Sequence, residues 1–143
     1  MNARMTAMDP QSLMIDKLAA HEEILFALLF GSRARGDERP GSDWDVGAYL
    51  DDRLGPEKRF ELRLRLHAEL QEAGCVDLVV LNDAPPLLAH RALQGIRLIV
   101  RDRSAYVRFF VRTAARAGDE QFWRSLHARA RARRLEEGKF GRP

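Results

Sequence analysis

Residues 29–50, LFGSRARGDERPGSDWDVGAYL, place a Gly-Ser pair and two aspartates one residue apart between two apolar runs. The preceding HEEILFALLF moves from charge into an apolar block that stops at Gly31, the pattern of a buried strand entering a tight turn. The following DWDVGAYL alternates as a second strand does. Any fold for this chain has to bury both strands while keeping the polar turn between them accessible.

The remaining segments supply the layers around those strands. Leu13, Met14, Leu18 and Ala19 recur near helical spacing from about Pro10 to His21, and residues 1–9 carry no strong pattern and read as a loose tail. Pro56 opens EKRFELRLRLHAELQEAG as a helix, with Phe60, Leu64 and Leu70 helping to form one face and Gly74 as its stop. CVDLVVL is a third strand, LLAHRALQ a short helix ending at Gly95, and IRLIV a fourth strand. Residues 103–137 read as two helical stretches broken near Gly118-Asp119, with apolar Phe109, Phe110, Phe122, Trp123 and Leu126. The order α-β-β-α-β-α-β-α-α specifies one α/β domain over residues 1–143: a small mixed sheet of about four strands covered by helices, plus C-terminal helices.

Composition narrows the function classes. At 143 residues there is room for one real core and not for two. Cys75 is the single cysteine, so no internal disulfide can form, a reducing compartment fits, and a small buried apolar side chain is its plain reading. No apolar run approaches the roughly 18 residues of a membrane span, and the start lacks the apolar core of a signal peptide, so a cytoplasmic protein is expected. The charge of +3 is too mild to argue for nucleic acid. The Arg-rich QFWRSLHARARARRLEEGKFGRP reads first as a solvated helix face and second as a docking helix for a partner. Aromatics to stack bases are sparse in it, so direct nucleic-acid binding is not expected. The four histidines lack metal-ligand spacing.

Asp43 and Asp45 are at i and i+2, so on a strand both carboxylates face one way, about 6–7 Å apart along the chain, with Trp44, Val46 and Ala48 turned toward the core. Such a pair costs stability unless cations neutralise it, and Mg²⁺ favours a partial carboxylate shell completed by waters and phosphate oxygens. Asp77 lies in the third strand between Val76 and Leu78, and converges with the other two if that strand lies beside the second. Three carboxylates could hold two divalent ions and activate a hydroxyl for in-line attack at phosphorus, with Asp77 as the base. Gly31 lets backbone approach a ligand, Ser32 opens a helical turn with free N–H groups, and Arg33, Arg35 and Arg39 add cations. Arg35, three residues beyond Ser32, shares its face and could bind the leaving pyrophosphate. Gly-Ser alone is an ordinary helix cap, and Asp-x-Asp alone an ordinary solvated edge. Ten residues between Ser32 and Asp43, strands on both sides and a third strand-borne Asp make the combination specific.

Gly31, Ser32, Asp43 and Asp45 resemble the signature of the nucleotidyltransferase superfamily that includes DNA polymerase β. Within it, GSRARGDERPGSDWD, VDLVVLNDAPPLLAHRALQGIRLIVRD and AYVRFFVRTA resemble the minimal nucleotidyltransferases, and more closely the MntA-type antitoxins paired with HEPN toxins, over roughly residues 20–115. The resemblance implies an ATP- and Mg²⁺-dependent adenylyltransferase, with two metal ions, that moves AMP to a tyrosine of a partner HEPN ribonuclease and silences it. Gly31, Ser32, Arg35 and Ser42 would then bind nucleotide, and Asp43, Asp45 and Asp77 would be the metal-binding and catalytic carboxylates. Trp44 and the Val46-Gly47 pair depart from the usual smaller aliphatics, which points to altered packing. Two alternatives stay open: a small-molecule acceptor such as an aminoglycoside, and an antitoxin that acts by binding without catalysis. The first kind of enzyme usually brings a longer helical second domain, and the second has no use for three clustered carboxylates.

Overall fold

The computed structural model describes residues 8–117. Helix α1 (Pro10–Ala19) leads into strand β1 (Ile24–Phe30), a single helical turn α2 (Ser32–Arg35), strand β2 (Trp44–Leu50) and helix α3 (Pro56–Leu70). Strand β3 (Val76–Val80), helix α4 (Pro86–Leu93), strand β4 (Ile96–Val100) and helix α5 (Arg103–Ala117) follow. The strands form one mixed sheet in the order β3-β2-β1-β4, with β2 and β3 parallel and β1 antiparallel to both of its neighbours. The α/β architecture read from the sequence is therefore the one observed, with α2 added in the polar turn. The second C-terminal helix, its apolar residues and the Arg-rich tail lie outside the described residues, as does the tail through residue 7.

Helices cover both faces of the sheet. On one face Met14 and Leu18 of α1 and Leu62, Leu66 and Leu70 of α3 pack against Ala27, Leu29, Val46, Ala48 and Leu78. On the other, Ala89, Ala92 and Leu93 of α4 and Ala105 and Phe109 of α5 meet Phe26, Leu28, Phe30 and Tyr49. Strand β1 is apolar at every position because it is central and covered on both sides. Phe26 stacks on Tyr49 at 5.0 Å between ring centroids, and Tyr106 meets its edge at 5.2 Å.

Three expectations are corrected here. The buried stripe of α3 is Leu62, Leu66 and Leu70, whereas Phe60 and Leu64 are 57% and 54% exposed. Both sets have i, i+4 spacing, and the one that meets the sheet also contains Leu70. Cys75 is exposed, because the turn at Gly74 sets it on the side of the sheet end that Asp77 also faces. Asp9 is no loose tail: its carboxylate caps α1 by accepting from the Ser12 N–H at 3.0 Å and the Gln11 N–H at 3.3 Å.

Two polar locks hold the sheet's far end. The Asn82 side chain accepts from the Leu50 N–H at 2.8 Å and donates to the Leu50 carbonyl at 2.7 Å, so it continues the β2-β3 pairing past the last strand pair. The Arg101 guanidinium donates to the carbonyls of Ala19 at 2.9 Å, Ile24 at 3.1 Å and His21 at 3.2 Å, tying the end of α1 to the start of β1. Because water can replace part of this set, Arg101→Ala should cost about 1–2 kcal/mol in urea unfolding. A loss within error of zero would show that the three carbonyls gain nothing from the guanidinium.

Candidate active site

The parallel register of β2 and β3 sets Asp45 directly beside Asp77, and the antiparallel register of β1 sets it opposite Phe30, one residue before Gly31. Gly31 has φ +76°, a backbone that only glycine adopts readily, and a Cβ there would overlap the Asp45 carboxylate. Turn and carboxylate thus touch because the residue between them has no side chain. Gly36, in the left-handed region, ends α2, and its N–H and that of Asp37 both donate to the Ser32 carbonyl.

Asp45 is half-buried, and its pKa lies above the ordinary carboxylate value of 3.8. Burial is the main cause, the charges of Asp77 and then Asp43 add to it, and Arg35 offsets part. Asp43 immediately precedes β2 instead of lying within it, and is exposed. The Cys75 thiol donates to the Asp43 carboxylate, and that hydrogen bond and charge push the thiol's pKa up from its ordinary value.

A cleft of about 610 Å³ opens on this end of the sheet, on the side covered by α4. Gly31, Arg35, Asp45 and Asp77 line it, with Phe30 and Val79 as its apolar floor. It is also lined by Leu88 and Arg91 of α4 and by Gln94, which caps that helix, none of them expected at the site from the sequence. The i, i+3, i+6 spacing of these residues marks one helix face, but nothing local shows that this face overlooks the carboxylates.

Other expected residues serve the loop instead. The Arg33 guanidinium donates to the Ser42 carbonyl at 2.9 and 3.2 Å and lies 4.5 Å over the Trp44 ring. The Ser42 hydroxyl accepts from the Arg39 N–H at 2.8 Å. Arg33, Ser42 and Trp44 therefore fold the ten-residue spacer back on the start of β2, and Trp44 packs partly against the core as expected. Ser32, Ser42 and Asp43 are not among the residues that line the cleft.

Among the described residues no three His, Cys, Asp or Glu side chains are gathered into a finished metal cage. The donor set still fits Mg²⁺. That ion is held by one or two carboxylates plus substrate phosphate oxygens, and Asp45 lies beside a second carboxylate, with Arg35 offsetting only part of the repulsion. No described helix is long and apolar enough to cross a membrane.

The chain is similar in fold to several solved structures. A toxin-antitoxin MntA-HpeT point mutant is 26% identical over 88% of this chain and 92% of its own, with a TM-score of 0.55. A toxin-antitoxin with AMP-PNP is 24% identical over 88% of this chain and 93% of its own, TM-score 0.56. A tri-AMPylated HEPN toxin from Shewanella oneidensis in complex with MNT antitoxin is 23% identical over 88% and 93%, TM-score 0.50. No curated protein matches the chain. The family model described as polymerase beta, nucleotidyltransferase, matches residues 14–104, which span β1 through β4 with both cleft carboxylates, and the chain belongs to that family.

Proposed function

We propose that this chain is an ATP- and Mg²⁺-dependent protein adenylyltransferase that acts as a cytoplasmic antitoxin, moving AMP to a tyrosine of a HEPN ribonuclease partner. The observation that carries the reading is the pairing of Asp45 with Asp77 at a cleft whose rim is the Gly31 turn. Likeness to an MNT antitoxin bound to a tri-AMPylated HEPN toxin supports a HEPN toxin as the partner that receives AMP, and likeness to an AMP-PNP complex supports the nucleotide.

In this reading the Gly31-Ser32 turn and Arg35 receive the triphosphate, and Asp43 and Asp45 hold the metal with Asp77 as the third carboxylate. Bound Mg²⁺ would supply charge neutralisation on the phosphates. Asp77 accepts the proton of the tyrosine hydroxyl, whose ordinary pKa near 10 makes it a weak nucleophile without a base. The phenolic oxygen forms a bond to the α-phosphorus as the bond from that phosphorus to the β-phosphate oxygen breaks, and pyrophosphate leaves. In the same reading Arg35 holds that leaving group.

The test is intact mass of the partner after incubation with this chain, ATP and Mg²⁺. AMP-sized gains that vanish with the Asp43→Ala, Asp45→Ala double variant are expected. Tight binding of the two proteins without any gain would overturn the enzyme reading in favour of neutralisation by occlusion.

A further inference from the structure

The two guanidiniums that line the cleft differ in what they already hold. Arg35 on α2 is engaged by Asp37 at 3.1 Å and also faces the charge of Asp45. The guanidinium of Arg91, on the last turn of α4, makes no hydrogen bond or ion pair among the described residues, although Asp45 and Asp77 line the same cleft. Its place is fixed by the helix beneath it. Gly95 follows α4 and abuts the backbone of Leu29 and Phe30 so closely that a Cβ there would overlap the Leu29 carbonyl oxygen. Phe30 is the residue before Gly31, so the end of α4 is clamped to the strand that delivers the phosphate turn. Arg91 lies on the last turn of that helix, four residues before Gly95.

A cation at a helix C-terminus commonly offsets the negative end of the dipole, and a structural role of that kind would affect stability alone. The cleft offers it more. An anionic ligand seated between Gly31 and the carboxylates would bring phosphate oxygens under an uncommitted guanidinium, and would also meet the carbonyl end of α4, whose charge Arg91 offsets. We infer that Arg91 is a nucleotide-binding residue, which with Arg35 from the opposite side holds the terminal phosphates of the triphosphate and the pyrophosphate that leaves. The inference rests on the nucleotidyltransferase reading of the same site.

The test is calorimetric titration of the full chain with a non-hydrolysable ATP analogue and with AMP, both in Mg²⁺, using wild type, Arg91→Ala and Arg91→Lys. Arg91→Ala should weaken the triphosphate analogue about tenfold or more, as expected for lost hydrogen bonds to a charged group, and leave AMP within about twofold. Arg91→Lys should recover part of the loss, since it restores the charge without the bidentate fork. An Arg91→Ala protein that melts like wild type and binds the analogue equally well would overturn the inference alone. Wild type that binds no triphosphate would overturn the nucleotidyltransferase reading, and this inference with it.

Discussion

Asp45→Asn should cut transfer by orders of magnitude and yet make the protein harder to unfold at neutral pH. The side chain is half-buried beside Asp77 and near Asp43, and its pKa is raised above 3.8 chiefly by burial. A raised folded pKa means that the fold disfavours the ionised form. As pH climbs from below 3.8 through the raised value, the unfolded chain releases this proton first and the folded chain loses stability. Above that window the penalty is complete. Asparagine keeps the shape and removes the charge, so the melting temperature should rise at pH 7 and the advantage over wild type should vanish at pH 3. Mg²⁺ should raise the melting temperature of wild type more than that of the variant, because wild type keeps the charge that the cation offsets. Transfer should fall by about 10²- to 10³-fold or more, the scale seen when one preorganised electrostatic group is removed from a reaction centre. Opposed effects on activity and stability are the mark of a charge retained for function. A variant less stable than wild type at pH 7 would show that the Asp45 charge is already balanced within the fold.

What the sequence made legible and what it hid divide along contact range. The approach of Gly31 to Asp45 was within reach of the sequence because one turn joins their two strands, whereas Ser32 and the exposed Asp43 stay outside the cleft lining. Asp77 needed a single further assumption, that β3 lies beside β2, and the parallel register meets it. The choice between the Leu62-Leu66-Leu70 stripe and the Phe60-Leu64 pair on α3 was not legible, since either set satisfies helical periodicity and only the position of the sheet decides. Arg33 counted with Arg35 and Arg39 as a cation of the loop, but its guanidinium closes the spacer against Ser42 and Trp44. Gly47, unusual beside the signature, has its reason in the turn at residues 81–83: the Leu81 side chain fills the space a Cβ would need, at 2.9 Å. The α4 wall was least legible of all. Its only trace in the sequence is Gly95, which reads as an ordinary helix stop and is in fact a point of backbone contact between distant segments.

Gly95→Ala is therefore the substitution expected to damage the scaffold most for its size. The added methyl would overlap the Leu29 carbonyl oxygen and lie 2.8 Å from that carbonyl carbon and 2.9 Å from the Phe30 Cα. These are backbone atoms of the central strand, paired on both sides by β2 and β4, so they cannot yield as a side-chain tip would. The end of α4 has to lift instead, at a cost of about 2–3 kcal/mol, typical of overpacking in a rigid core. Urea unfolding should show this as a lower midpoint with an unchanged slope. Gly55→Ala is a fitting control, because nothing lies within 4 Å of a Cβ there and its effect should stay below about 1 kcal/mol. Lifting α4 also draws Arg91 and Gln94 away from Asp45 and Asp77, so the Gly95 variant should lose affinity for the triphosphate analogue although no cleft carboxylate has changed. If it unfolds like wild type, α4 can shift at no cost, and the cleft's second wall is not fixed by the sheet.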